Sequence, residues 1–479
     1  MTGRADLAAE AVAPAVPAAA TLSEISAPAG FETKAAALRW GRDQESRIRE
    51  GRWTDPKSGQ TTINDWVDCW LRIQDVGIST TNTRDYLLRL FIRPAWGDRA
   101  LGSLTNEEIT EWENCLPAAT AVSRRTARDA RSLLCTILGD ATAARPPLIP
   151  YNPALRPRNR GRKTGRRIER SPQRVWATPL EVLLVAERAA LLSGSDDEFT
   201  LVVTMAYTGM RWGEAVGLER EHVRASLINI EWQLREVGIF YRLPPKDDSY
   251  RSTNWEPCVP VDLPPFLADL LNEQAAQTQR PCACAAKHGG SGRYVFLGPD
   301  GGHHRRSNYA RRLFRPACDG RYEPIKGQLG RLVIVDASAW PERPIAAWDP
   351  VLSPASPLAA NFAPPCGRGI KRIADDVPLA CWLPAKEGLT PHGLRHSHKT
   401  WMEEDGIAEI LQERRLGHEV PGMRGVYAHV SETMRAELVS ALQIRWQESL
   451  RARAAIDAHS PVPLLERLLA STRSAAPKR

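Results

Sequence analysis

Residues 389–430 read LTPHGLRHSHKTWMEEDGIAEILQERRLGHEVPGMRGVYAHV, and the punctuation inside this stretch sets where its helices begin and end. Thr390 followed by Pro391 is a helix start: a Thr N-cap accepts from an orphan backbone N–H, and proline is pre-organised for the first helical position. His392 and Arg395 then fall in the first turn, three residues apart on one face, where both can reach one anion. Gly406 closes that helix. A second helix is predicted from Ile407 to Leu416, with Ile407, Ile410 and Leu411 inward, and Gly417 ends it just before His418. Tyr427 comes nine residues later, after the breaking pair Pro421-Gly422. Ser431 caps a final helix with Met434, Leu438 and Leu442 on one face.

An arginine fork fits two phosphate oxygens, and a histidine can donate to a third or move a proton, so these side chains together suit a phosphodiester. A tyrosine hydroxyl, with an unperturbed pKa of about 10, becomes a nucleophile only where positive charge stabilises its phenolate. The stretch supplies that charge.

His392-Gly393-Leu394-Arg395-His396, then Leu416-Gly417-His418, then Tyr427 resemble the catalytic end of the tyrosine recombinases, the phage-type integrases of actinobacterial phages and mobile elements in particular. Thr208-Gly209-Met210-Arg211-Trp212-Gly213-Glu214 resembles that family's first arginine motif, and Pro244-Pro245-Lys246 its hairpin lysine. The resemblance implies a DNA strand exchange through a 3′-phosphotyrosyl link. In it Tyr427 is the nucleophile, Arg211, Arg395, His392 and His418 hold the phosphate, Lys246 is the general acid, and Glu214 orients Arg211. It further implies double-stranded DNA attachment sites as partner, a homotetramer on that DNA, an accessory directionality factor, and no cofactor. His396, His398 and His429 lie beside these motifs and read as helix packing or surface.

The fold class expected is α+β, mainly α: a helical core-binding domain, then a mixed catalytic domain with a small antiparallel sheet. Residues 1–30, rich in Ala and Pro, cannot bury enough surface to order themselves. Residues 31–61 carry a charged helix ended by Gly51, followed by a turn, and resemble part of an arm-binding domain. Residues 62–150 show four helical patterns, near 62–76, 80–92, 105–115 and 122–143. The last gathers Arg124, Arg125, Arg128 and Arg131 towards one side, either as a solvated face or, as favoured here, for DNA phosphates. A basic linker spans 151–176; between Arg156 and Arg174 nine of nineteen residues are basic. Arg158, Arg160, Arg162, Arg166 and Arg167 would strap the DNA backbone by releasing counterions.

The catalytic domain is expected over 177–450, with helices at 178–192 and 196–210 and strands at 227–233, 237–243 and 259–261, Lys246 lying in the turn between the later two. Residues 319–386 hold ten prolines and read as a loop-rich insertion. Residues 451–479 form a basic tail that, by the resemblance, docks on a neighbouring protomer.

A net charge of +8 favours a polyanionic partner, and arginine outnumbers lysine about fivefold, which suits bidentate phosphate binding, although a GC-rich genome would also inflate arginine. Nine scattered cysteines suggest a reducing compartment, hence a cytoplasmic, nucleoid-associated protein. Cys282 and Cys284 with His288, completed by Cys318 or His303, do not have a standard zinc spacing, and no metal site is expected. No apolar run approaches the roughly 20 residues of a membrane span. Two other readings stay open: a type IB topoisomerase, which uses the same chemistry without synapsis, and a DNA-binding relative with an inactive site.

Overall fold

The structure, a computed structural model, describes residues 31–49, 58–156, 174–246, 260–277, 281–284, 292–298, 300–324, 330–336, 345–347, 379–418 and 429–475. The chain divides into two compact units, with the boundary between Arg166 and Arg167. It is mainly helical with small antiparallel sheets, as expected.

In the smaller unit, helix α1 (Lys34–Arg49) is charged and mostly exposed. Helix α2 (Ile63–Arg72) starts where Thr62 Oγ1 accepts from the Asp65 amide. Helix α3 (Ile78–Leu87) runs through a π-helical turn, Leu88–Ile92, into α4 (Arg93–Trp96). Helix α5 (Asn106–Thr120) opens on a reciprocal cap between Thr105 and Glu108, and α6 (Arg124–Ala143) on Ser123. Their apolar faces meet around Ile63, Trp70, Ile92, Ile109, Leu134 and Ile137. Two indoles there keep a partner: the half-buried Trp66 donates to Ile137 O at 3.0 Å and the buried Trp70 to Asp140 Oδ2 at 2.6 Å.

The larger unit is built on α7 (Pro179–Ser193) and α8 (Asp196–Thr208), an antiparallel pair joined at Gly194, whose φ of +75° only glycine adopts without strain. Helix α9 (Trp212–Val216) follows at once. Strands β1 (Leu227–Ile228) and β4 (Val261–Asp262) pair with each other, and β2 (Gln233–Val237) pairs with β3 (Ile239–Leu243) about Gly238. These are two separate two-stranded sheets, whereas one sheet was expected. Helix α10 (Pro265–Gln277) and the broken helix α11 (Arg306–Tyr309), continued through a π-helical turn into α12 (Arg315–Asp319), pack on the same core.

The segment read as a loop-rich insertion contains sheet. Strands β5 (Ile334–Asp336), β6 (Ile345–Ala347) and β7 (Leu379–Trp382) form an antiparallel sheet with β7 central. Its root is welded to α7: the Arg188 guanidinium lies 4.8 Å from the buried Trp382 ring and donates to Ala317 O and Leu383 O. Trp340 and Trp348 lie outside the described residues.

Helix α13 (Pro391–Glu404) starts with Thr390 accepting from the Gly393 amide, and α14 (Glu409–Leu416) ends at Gly417 with φ +63°. Helix α15 (Glu432–Ile456), capped by Ser431, turns Leu438, Leu442 and Trp446 into the core, where Trp446 stacks on Phe266 at 4.2 Å. The expected C-terminal tail is instead a further helix, α16 (Pro463–Ala475), which buries Leu464, Leu465 and Leu469 in the same core. Arg453 and Glu187, both almost fully buried, fix α15 to α7 through bonds of 2.7 and 2.8 Å, and Ser460 adds a third bond to Glu187. Within one chain, then, the apolar face of α16 is covered.

The linker is also shorter at both ends than 151–176. Arg156 pairs with Glu113, and Asn152 donates to Cys135 O inside the smaller unit. At the other end Arg174 Nη1 lies 2.8 Å from His396 Nε2 and Trp176 packs against the core of the larger unit. Arg158, Arg160, Arg162, Arg166 and Arg167 lie outside the described residues, as do residues 1–30 and the turn at 51–57.

Candidate active site

Helices α13 and α14 cross where α8 ends, and Gly209 makes that crossing close. Its φ is +71°, and a Cβ there would lie 2.6 Å from Leu416 Cδ2 and 2.9 Å from His398 Cδ2. The bare backbone lets the Gly209 carbonyl accept from Arg395 Nη1 at 2.7 Å, so the end of α8 holds the guanidinium of α13. Arg395 Nη2 donates to Leu416 O and, at 2.9 Å, to His418 Nε2. Only 5% of Arg395 is exposed, and among the described residues no carboxylate pairs with it.

These bonds assign the His418 tautomer. A guanidinium can only donate, so Nε2 is the accepting nitrogen, and Nδ1 carries the proton and donates to Glu413 Oε2 at 2.6 Å. Glu413 also pairs with Lys399, whose bond joins that of His418 in holding its carboxyl below the usual range despite partial burial. His418 itself is held below its ordinary value, first by partial loss of water and then by the Arg395 and Arg211 charges, against the pull of Glu413.

Arg211 stands two residues beyond Gly209, at the N-cap of α9. Glu214, fully buried, takes both its backbone N–H at 2.7 Å and its Nη1 at 2.8 Å, so the orienting bond expected from the sequence is formed. His392 keeps an exposed edge, yet its pKa is pushed down to about 4, first by desolvation and then by His396, Arg395, Arg174 and Arg306. His396, read from the sequence as packing, belongs to this cluster: its ring meets that of His392 edge-on at 4.9 Å, and its Nε2 lies 2.8 Å from Arg174 Nη1. A four-residue helical spacing from His392 was the available signal. Arg174 had none, since it looked like one more linker arginine. His398 does read correctly as packing, being fully buried against Arg415 Nε at 2.9 Å.

The structure thus brings Arg211, Arg395, His418 and His392 to one rim, with His396, Arg174 and Arg306 beside them. Several cations there act on neutral imidazoles, and the field favours an anion. Among the described residues β3 pairs with β2 and β4 with β1, and Lys246 is an exposed residue three positions past the end of β3. Tyr427, with Pro421 and Gly422, lies outside the described residues. Three other tyrosines of this unit are poorly suited to attack: Tyr207, Tyr294 and Tyr309 are buried, and burial raises each hydroxyl's pKa above the ordinary value.

In the smaller unit, Arg124 and Arg128 line a cavity of about 340 Å³, and Arg125 is exposed beside Asp129. Arg131 departs from the expectation. It lines the same cavity but is only 3% exposed and bonded to Glu113, Thr110 and Ala154 O, which also makes it a tie between α5 and α6.

No family model and no curated protein matches the chain. Among solved structures it is similar to the Tn1549 transposon integrase in complex with a circular intermediate DNA, at TM-score 0.49 and 16% identity, over 78% of this chain and 96% of that one. It is also similar to a lambda integrase dimer bound to a COC′ core site, at 0.41 and 15% over 82% and 80% of the two chains. For the XerA recombinase the values are 0.26 and 16% over 78% and 95%. Overlap of this size at so low an identity leaves the reading of the site to its own residues.

Proposed function

We propose that the larger unit is a DNA strand transferase of the tyrosine recombinase type. The observation that carries this reading is the rim itself: Arg395, buried and held by carbonyls and an imidazole with no carboxylate among the described residues, beside Arg211, His392 and His418. A scissile phosphate offers two oxygens to such forks. Once Arg395 turns a donor to the phosphate, His418 Nε2 is released and can take up a proton, while Glu413 keeps Nδ1 in place.

In this reading the Tyr427 oxygen attacks phosphorus and the P–O5′ bond breaks. The phosphate stays on tyrosine as a 3′-phosphotyrosyl ester, and the departing 5′ oxygen takes a proton from Lys246. One ester bond replaces another, so a 5′-hydroxyl from a second duplex can reverse the step onto a new strand. The smaller unit would grip duplex DNA through Arg124, Arg125 and Arg128, with the linker arginines adding phosphate contacts. Recombination by four copies on attachment sites, with an accessory directionality factor, for a phage or mobile element, completes the proposal. The test is a suicide half-site whose cleaved strand diffuses away: a covalent protein–DNA band that survives denaturation supports the reading, and its absence with DNA that the chain binds tightly refutes it.

A further inference from the structure

Behind Arg211 lies a second cluster, with different chemistry. Cys282 Sγ and Cys284 Sγ stand 3.6 Å apart, and a ring nitrogen of His303 joins them, all three donor atoms lying within 4.8 Å of one another. Cys282 is 4% and His303 9% exposed. Eighteen residues separate Cys284 from His303 in sequence, so the fold brings them together.

We propose that Cys282, Cys284 and His303 bind one Zn²⁺ ion that ties the 281–303 segment to the β2–β3 hairpin. The geometry fits the ion: with metal–sulfur bonds of about 2.3 Å, a tetrahedral angle separates two thiolates by about 3.8 Å, near the distance observed. A disulfide needs about 2.05 Å, and neither cysteine is in one. Two thiolates and an imidazole are a borderline-soft set that favours zinc over oxygen-seeking cations. The fourth position falls to water.

The backbone holds the donors in place. Cys282 N–H donates to Gly292 O at 2.7 Å and Ala283 N–H to Gly301 O at 3.1 Å, which pins the Cys-x-Cys turn between the two ends of its own loop. The His303 ring is fixed edge-on against Tyr294 at 4.6 Å and Phe240 at 5.0 Å. Its neighbour His304 faces the other way, towards Glu198, so the two histidines of the pair are not interchangeable. Phe240 belongs to the hairpin, and Trp212 packs on the same small apolar cluster directly after Arg211. Arg305 adds polar ties from this segment to Glu236 and Gly238 O of the hairpin. An ion here would stiffen the ground on which Arg211 stands without touching the phosphate.

The full chain, purified from zinc-supplemented culture and exchanged against a weak chelator, should retain about one zinc per chain, falling below about 0.2 in a C282S/C284S variant. A strong chelator should lower the Tm of the wild type, with zinc restoring it in a concentration-dependent way. Mass-spectrometric thiol labelling of the wild type covers the case in which the variant fails to fold: the peptide bearing Cys282 and Cys284 should label after chelation and be protected by added zinc. No retained zinc together with zinc-independent labelling of that peptide would overturn the proposal. So would equal zinc content in the folded variant, which marks an adventitious ion elsewhere.

Discussion

Helices α13 and α14 are laced by two arginine–histidine pairs of the same length, 2.9 Å, running in opposite directions: Arg395 to His418 and Arg415 to His398. Both arginines are nearly buried and both also donate to backbone carbonyls, Arg415 to Asp262 O and Tyr207 O. They differ in what lies beyond them. His398 is fully enclosed, with aromatic packing at its back, whereas His418 opens to solvent beside Arg211 and near His392. Burial and a histidine partner are thus common to both arginines; what sets Arg395 apart, and what the proposed function rests on, is its convergence with further cations at an accessible edge.

Exchanging the two should separate the roles most strongly. Arg395→Lys keeps a charge but loses the planar fork, and is expected to slow adduct formation about 10²-fold or more. Its folding free energy should change by less than about 1.5 kcal/mol. Arg415→Ala strands the His398 nitrogen, the buried Tyr207 carbonyl and the part-buried Asp262 carbonyl, and should cost about 2–4 kcal/mol. Urea titration and suicide-substrate kinetics on both variants check the contrast.

Gly209 sits between the pairs, so Gly209→Ala should loosen both. A Cβ pressed against Leu416 and His398 at a positive φ is expected to cost about 2–4 kcal/mol, read as a lower urea midpoint. The two histidines also respond differently to acid. Burial and the Arg415 charge hold His398 well below its ordinary pKa, so the unfolded chain binds a proton that the folded chain refuses. The associated stability is complete above about pH 6.5 and is lost as pH falls below it. Urea midpoints should drop between pH 7.5 and 5, and His398→Gln should flatten that slope. His418, which is partly exposed, should contribute little because solvent screens it.

The comparison extends to the smaller unit with the smallest effects. Arg131→Ala should cost stability by breaking its bond to Glu113, about 3 kcal/mol for a buried pair. Arg124→Ala and Arg128→Ala should leave stability nearly unchanged and each lower the salt slope of DNA binding by about one.

Much of this was legible locally. Thr62, Thr105, Thr178, Thr390 and Ser431 cap helices as a Ser or Thr before an apolar-periodic run should, because capping is a short-range matter. What the sequence could not convey depended on long-range pairing. β3 and β4 look like hairpin partners, yet among the described residues β3 pairs with β2 and β4 with β1. The sheet in the proline-rich segment is formed by strands that are far apart in sequence. Arg131 lies on the same helix as Arg124 and Arg128, and only the position of Glu113 on α5 makes it internal. His303 joins Cys282 and Cys284 at a spacing that no short motif encodes.

The most direct test of the central claim is to trap the chain on a suicide half-site, digest it, and identify the modified residue by mass spectrometry, with Tyr427→Phe run in parallel. The DNA remnant should sit on the peptide containing Tyr427, and the phenylalanine variant should bind DNA normally and form no adduct. An adduct on any other residue, or one that persists in Tyr427→Phe, would contradict the assignment of the cationic rim as a site that receives that tyrosine.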